Sequence, residues 1–451
     1  MMSLAETAAV LSVALRGGDA PYEAVSTDSR TLPRGALFVA LRGERFDGHG
    51  FLAAARAAGA AGAIVDRKYA GATPLPVIVV EDTRRALCDL ARHWRARFSP
   101  ALIAIAGSNG KTTTKEMLAA ILQAQAGEAA VLSTAGNLNT DIGVSLTLLR
   151  LRAAHRLCAI ELGTNHRGEI ALLAGIAQPT IAVVTNALRD HLEFLGSVEE
   201  MAEENADALR ALPQEGIAVV NADDAHAACF RRAAGSRRIV DFGLQAGATV
   251  GATLKLGALS SEVTIRTPAG AVDTRLSIPG LHSVRNALAA AACAVAAGIA
   301  PDAIGAGLAA FRPATRRLQV KPLPGGATLL DDSYNANPDS VRAAIDVLAG
   351  CPGLTVLVLG DMGELGPQGA EFHREVGAYA RARGIGRLVA LGEATRVSVE
   401  AFGAGALHAD SVAAAAEAAR TGATTILVKG SLFMGMDRVV AALTGETAEV
   451  H

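Results

Sequence analysis

Ten consecutive residues, Gly107-Ser108-Asn109-Gly110-Lys111-Thr112-Thr113-Thr114-Lys115-Glu116, carry the groups needed to grip a polyphosphate. Glycines let backbone N–H groups turn towards an anion, and a helix beginning there adds its positive end. Lys111 can reach the outer phosphates, and the Thr112 hydroxyl can ligate Mg²⁺. The spacing departs from the common phosphate loop, which has four residues between its glycines; here only Ser108 and Asn109 separate Gly107 from Gly110. The flanks fit the mechanism, with Ala101–Ala106 an apolar run of buried-strand type and Met117 to Gln125 predicted to be helical.

Other polar groups fall where such a site needs them. Apolar runs at Leu157–Ile160, Thr180–Val184 and Gly216–Val220, with helical patterns between, predict a mostly parallel, doubly wound sheet. Ligands bind beyond the carboxyl ends of such strands. Glu161, Thr185-Asn186 and Asp190-His191 stand at those ends. Mg²⁺ prefers oxygen ligands, which makes Glu161 the partner for Thr112; a solvated or helix-capping glutamate is the plainer alternative. His191 reads either as structural or as a ligand at the same edge. Further on, Asp331-Asp332-Ser333-Tyr334-Asn335-Ala336-Asn337-Pro338 follows another buried strand, as a polar site or as a turn closed by Asn-Pro. Arg316-Arg317, after a hinge, could reach a bound nucleotide. Lys429-Gly430-Ser431 and Asp361 to Glu364 end strands as cleft walls or as solvated loops.

The 451 residues suit two to four domains at roughly 100–200 residues each, and three are expected: 1–82, 83–313 and 314–451. In the first, strands are expected at Ala36–Leu41, Gly62–Val65 and Pro76–Val80, with a helix over Phe51–Ala58. Its loops Ser26-Thr27-Asp28-Ser29-Arg30 and Arg42 to His49 are either solvated or a cradle for a pyrophosphate or a uracil edge. Ala248 to Ile278 alternates like a small antiparallel patch, and Ser283–Ala297 like a long helix. Strands of the last domain are expected at Ala327–Leu330, Leu354–Leu359, Leu388–Leu391 and Thr425–Val428, without a GxGxxG turn. A net charge of −2 gives no basic field for nucleic acid. The longest strongly apolar run, Ala287 to Ala300, falls short of the ~18–20 residues of a membrane span, so no membrane insertion is expected. The absence of a secretory pattern and five scattered cysteines without CxxC spacing predict buried thiols in the cytoplasm.

Over nearly its whole length the chain resembles the Mur ligase family. The most specific stretches are GSNGKTTTKE from Gly107, GNLNTDIGVSLTLL from Gly136, IELGTNHRGEI from Ile160, DDSYNANPDS from Asp331, LGDMGELG from Leu359 and VKGS from Val428. STDSRTLPRGALFVALRGERFDGH from Ser26 matches the family's UDP-binding first domain. The resemblance implies a small α/β UDP-binding domain, a central doubly wound ATP-binding domain and a Rossmann-like C-terminal domain. It implies a ligase that uses ATP and Mg²⁺ to convert a carboxylate into an acyl phosphate, which an amine then attacks. The Tyr334–Pro338 form points to UDP-N-acetylmuramoyl-tripeptide and D-alanyl-D-alanine as partners, for an enzyme expected to be monomeric.

By the same resemblance Gly107, Ser108, Asn109, Gly110, Lys111, Thr112 and Thr113 hold the phosphates, with Asn286 on the adenine and Arg317 and Asp332 approaching ATP. Thr112, Glu161 and His191 bind metal, and Lys111, Glu161 and His191 are the catalytic set. Ser26, Thr27, Asp28, Ser29, Arg30, Asp47 and His49 would bind the UDP moiety. Asn137, Asn139, Thr140, Tyr334, Asn335 and Asn337 would lie near the peptide. Two departures stand out. The family usually has a carbamylated lysine where spacing from His191 places Asn205, so a second Mg²⁺ is expected to be held without a carbamate, helped by Glu203 or Glu204, or else to bind more weakly. Leu432-Phe433 also replaces a position where arginine is common. A sister amino-acid-adding or folate-polyglutamate-type ligase, and a nucleotide-gated binding protein without ligation, are the alternatives.

Overall fold

The computed structural model describes residues 1–43, 46–71 and 73–446, as a mixed α/β chain with several parallel sheets. Glu44 and Arg45, within the expected Arg42–His49 cradle, lie outside the described residues. Two compact units emerge. One comprises Met1–Ala104, Ala129–Leu162 and Ala171–Pro179; the other comprises Ile105–Glu128, Gly163–Ile170 and the chain from Thr180 onwards.

In the first unit a five-stranded sheet runs in the order Leu15–Arg16, Val77–Val80, Gly62–Asp66, Leu37–Val39, Val25–Ser26. Only its first pair is antiparallel. Phe38, Ala63, Val65 and Val77 pack beneath the helix Leu52–Ala57 through Leu52 and Ala55. The helix Thr83–Arg95 starts at Asp82, whose carboxylate accepts the Arg84 and Arg85 N–H groups. It is tied in place by Trp94, whose indole N–H donates to the Leu151 carbonyl at 3.1 Å. Val131–Ser133 pairs in parallel with Leu157–Glu161.

In the second unit Ile181–Val184, Ile217–Asn221 and Arg238–Phe242 run parallel. Buried on both faces, the first two are nearly continuous apolar runs. A separate three-stranded antiparallel sheet, Gly251–Leu256, Ser261–Thr267 and Gly270–Leu276, matches the expected patch. The last sheet runs Gln319–Pro322, Thr328–Asp332, Thr425–Lys429, Thr355–Gly360, Arg387–Leu391, Ala406–Ala409, with only the first strand antiparallel. One of its faces is filled by Val356, Val358, Val389, Ile426 and Val428 against Ala415, Ala419, Val439 and Leu443.

The helix expected over Met117–Gln125 spans Lys111–Ala126, so the lysine and threonines of the phosphate motif form its first turn. It packs against Leu281–Ala296 and Pro301–Ala310. The second crossing is close. A Cβ on Gly307 would lie 2.3 Å from the Ile121 Cα, a backbone atom that no rotamer change can move. Gly307→Val is therefore expected to destabilise the protein by about 1–3 kcal/mol, from overpacking against fixed backbone. Thermal denaturation beside Gly175→Ala, an exposed helix glycine with open space around it, checks this; equal melting temperatures would refute it.

Candidate active site

The strand Ala101–Ala106 delivers the chain to Gly107, whose φ of +130° suits glycine alone. A side chain there would meet Thr185 Oγ1, which lies 2.1 Å from the Cβ position. Gly110, at φ +80°, is the N-cap, and its Cβ position lies 2.2 Å from Asn286 Oδ1. Between these glycines the loop is held from behind. Asn205 Oδ1 accepts the Gly107 N–H at 2.9 Å. The Asn186 carbonyl accepts the Ser108 N–H at 3.0 Å, and Asn186 Oδ1 accepts the Asn109 N–H at 2.9 Å. Thr185 Oγ1 and Asn186 Nδ2 both donate to the Asn109 carbonyl, at 2.9 and 3.0 Å.

This corrects the expectation that the whole loop points its N–H groups at the anion. Those of Gly107, Ser108 and Asn109 are turned into the protein. The helix ladder begins with Thr114 N–H to Gly110 carbonyl at 2.8 Å, so the N–H groups of Gly110, Lys111, Thr112 and Thr113 lie outside it. Lys111 Nζ lies over the loop, donating to the carbonyls of Gly107 at 2.6 Å and Ser108 at 2.9 Å.

Residues from beyond 313 complete this neighbourhood. Asn337 caps the helix Pro338–Ala349 by accepting the Ser340 N–H at 2.9 Å. It also forms a reciprocal amide pair with Asn109, at 3.1 and 2.8 Å. Asp332 accepts from Lys429 Nζ at 2.6 Å and from the Leu318 N–H at 3.1 Å; Lys429 donates again to the Asn335 carbonyl at 2.9 Å. The Arg317 guanidinium stacks over the Tyr334 ring at 4.0 Å. Arg189, which sequence reasoning missed, joins Asp339 at 2.6 Å and Glu375 at 2.7 Å and lies over Phe372. Hydrogen bonds from Arg189 hold the Glu375 carboxyl below the usual range, and Arg342 adds to that.

His191, at φ +50°, opens the short helix Leu192–Leu195. Its Nδ1 pairs with Glu364, and its Nε2 lies 3.5 Å from Asp190. A ring oriented through one nitrogen by a carboxylate offers the other to a ligand. Beside it is a cleft of about 500 Å³ lined by Glu193, Glu364, Leu365, Ala370, His373 and Glu393. Burial pushes the pKa of His282, on the helix that carries Asn286, down to about 4, so it is neutral near pH 7.

In the first unit, Glu161 ends its strand as a buried carboxylate whose Oε1 accepts from Asn139 Nδ2 at 2.8 Å. Its N–H donates to Thr134 Oγ1 at 3.0 Å. Asn137 and Thr140 flank Asn139, and Thr140 is the N-cap of the helix Asp141–Leu148. A carboxylate here and a threonine hydroxyl on the phosphate helix are oxygen donors of the kind Mg²⁺ takes. The loop of Ser26, Thr27, Asp28, Ser29 and Arg30 organises itself. Asp28 accepts from the Arg30 N–H at 2.9 Å and from its guanidinium at 2.7 Å, which lowers the Asp28 carboxyl to about 2. His49 is buried with both ring nitrogens engaged, Nδ1 with Asp47 at 2.6 Å and Nε2 with the Asp66 N–H at 3.0 Å; it braces this turn.

The helix Val198–Arg210 also differs from expectation. Glu204 is buried and accepts the N–H groups of Gly168 at 2.7 Å and Ile170 at 2.8 Å. Glu203 pairs with Arg210 and accepts from Cys229 at 3.1 Å. In this structure both carboxylates are engaged with other partners. Among the described residues no group of three or more His, Cys, Asp or Glu side chains is arranged to hold a metal ion.

Three family patterns match: "Mur ligase family, catalytic domain" over residues 21–95, "Mur ligase middle domain" over 105–294, and "Mur ligase, glutamate ligase domain" over 316–432. The chain belongs to the Mur ligase family. It is similar to the UDP-N-acetylmuramoyl-tripeptide–D-alanyl-D-alanine ligase of Escherichia coli (strain K12), 42% identical with 98% of each chain covered. It is 38% identical to the enzyme of that name from Haemophilus influenzae, over 89% of this chain and 87% of that one. Among solved structures it resembles MurF from Acinetobacter baumannii, with a TM-score of 0.90, 34% identity and 98% of each chain covered. It also resembles MurF from Thermotoga maritima in complex with ADP, with a TM-score of 0.81, 26% identity and 94% and 97% of the two chains covered. No helix among the described residues is long and apolar enough to cross a membrane.

The neutral His282 has a consequence for stability. Its folded pKa of about 4 lies below the unfolded value of ~6.5, so on acidification the unfolded chain takes up this proton first. Stability from this group is full above pH ~6.5 and falls as pH drops towards about 4. His282→Leu is expected to flatten that part of the profile, measured by urea unfolding at several pH values; an unchanged slope would contradict the assignment.

Proposed function

We propose that this ATP-dependent ligase joins D-alanyl-D-alanine to UDP-N-acetylmuramoyl-tripeptide, giving the pentapeptide, ADP and phosphate in peptidoglycan precursor synthesis. The observation that carries the reading is the end-to-end likeness to ligases of that name, together with the braced phosphate loop at Gly107–Thr113. ATP would phosphorylate the C-terminal carboxylate of the tripeptide, the dipeptide amine would attack the acyl phosphate, and phosphate would leave as the amide forms. Such a reaction is run by positioning and electrostatic stabilisation of the transferring group.

In this reading Lys111 leaves the Gly107 and Ser108 carbonyls for the outer phosphates, and the first-turn N–H groups from Gly110 to Thr113 complete the cradle. Mg²⁺ would neutralise phosphate charge, held by Thr112 and Glu161 and, near the acyl phosphate, by His191 through the nitrogen that Glu364 leaves to it. Asn286 would meet the nucleotide and Arg317 and Asp332 would approach it. Asn137, Asn139, Thr140, Tyr334, Asn335 and Asn337 would line the peptide path. The uridine diphosphate would lie on the first domain with Ser26–Arg30 and Asp47–His49. We take the domains as 1–82, 83–313 and 314–451, and the enzyme as a cytoplasmic monomer.

The assignment is tested by an amine-acceptor panel with UDP-N-acetylmuramoyl-tripeptide and ATP, read by mass spectrometry. A pentapeptide-sized product with D-alanyl-D-alanine, and none with single amino acids, is expected; phosphate release needing neither co-substrate would defeat it. Lys111→Ala is expected to abolish ligation while UDP-tripeptide binding, followed by calorimetry, stays within about twofold. Loss of that binding in a folded variant would show the division of labour to be wrong.

A further inference from the structure

We infer that Asn205 is a positioning residue for the nucleotide: it fixes the phosphate loop through the Gly107 N–H and takes no part in metal binding. Its side chain is fully buried on the helix Val198–Arg210, and both ends of its amide are used. Oδ1 accepts the Gly107 N–H at 2.9 Å, and Nδ2 donates to the Met201 carbonyl one turn back at 2.9 Å. The second bond orients the first, since an amide whose nitrogen is held by its own helix presents its oxygen in one direction. The neighbouring carboxylates of Glu203 and Glu204 are engaged with other partners, so nothing on this helix turn is assembled to hold a cation.

Gly107 is where such a clamp matters. Its φ of +130° and the closeness of Thr185 Oγ1 fix where the loop leaves its strand. A buried N–H left without an acceptor there is unfavourable, and the loop would relax to regain a partner. That relaxation would shift the first turn, where Lys111 and Thr112 start the helix. A carboxylate at position 205 keeps an acceptor for Gly107 but lacks the donor for Met201. A lysine there has no acceptor.

The inference rests on the nucleotide binding at this loop, and its test reads the loop and ATP separately from ligation. Asn205→Ala is expected to raise the KM for ATP about tenfold while the KM values for the other two substrates stay within about twofold. Amide hydrogen exchange of the segment 105–113, without ligands, is expected to quicken in Asn205→Ala and to quicken less in Asn205→Asp, which keeps the acceptor but loses the bond that orients it. Asn205→Lys is expected to remain impaired whether or not bicarbonate is added. Three results would overturn the inference: unchanged exchange in Asn205→Ala, all three KM values rising together, or bicarbonate-dependent recovery of Asn205→Lys. If no variant folds, wild-type exchange still decides, because a Gly107 amide that exchanges like an exposed one has no clamp.

Discussion

A buried turn has to satisfy its own backbone, and at the phosphate loop this condition shapes everything around it. Three successive N–H groups, from Gly107 to Asn109, face the interior and need acceptors. Asn205 and Asn186 supply them from two separate stretches of chain, and Thr185 joins Asn186 in donating to the Asn109 carbonyl. The first helical turn lies beyond these braced groups, and its direction is set by them before any ligand arrives. Preorganised dipoles need no rearrangement when charge develops, which is how a site with little covalent chemistry of its own can accelerate phosphoryl transfer. The two-residue spacing between Gly107 and Gly110 fits the same scheme: a longer loop would carry more N–H groups to be matched from behind.

The segments beyond residue 313 meet this loop through polar groups held with equal care. Asn337 is at once a helix cap and the partner of Asn109, so the geometry of one helix end is read directly by the loop. Arg189 and Arg342 balance Asp339 and Glu375 in a partly buried quartet without net charge. Arg189 also donates its backbone N–H to Asp339, so this contact fixes main chain as well as side chain. Lys429 does the same for the turn after Thr328–Asp332, bridging a carboxylate and a carbonyl across neighbouring strand ends.

Sequence reading recovers the inner strands of both nucleotide-type sheets because burial on two faces makes them uninterrupted apolar runs. Val131–Ser133, Arg238–Phe242, Gln319–Pro322 and Ala406–Ala409 escape it. These are short edge strands with polar positions, and nothing local separates them from loops. The phosphate loop and its family were legible because glycine, lysine and threonine are needed there in a fixed order. The start of its helix was misread because the threonines that begin it are poor helix formers taken alone. Asn205 drew attention only as a departure; its acceptor role depends on a contact spanning 98 residues of sequence. Arg189 lies 150 residues from Asp339 and 186 from Glu375, and no local signal ties it to them.

The resting position of Lys111 sets a threshold for entry. Its ammonium already has two short contacts, to the carbonyls of Gly107 and Ser108. A weakly charged anion gives it little reason to leave them. A dense cluster of phosphate oxygens offers stronger, charge-assisted bonds than neutral carbonyls do. Exchanging those neutral carbonyls for phosphate oxygens would strengthen its bonds in proportion to the negative charge the ligand brings. In the ligand-free loop the same two carbonyls hold the ammonium in place, so the charge that a polyphosphate would meet is already stationed over the turn.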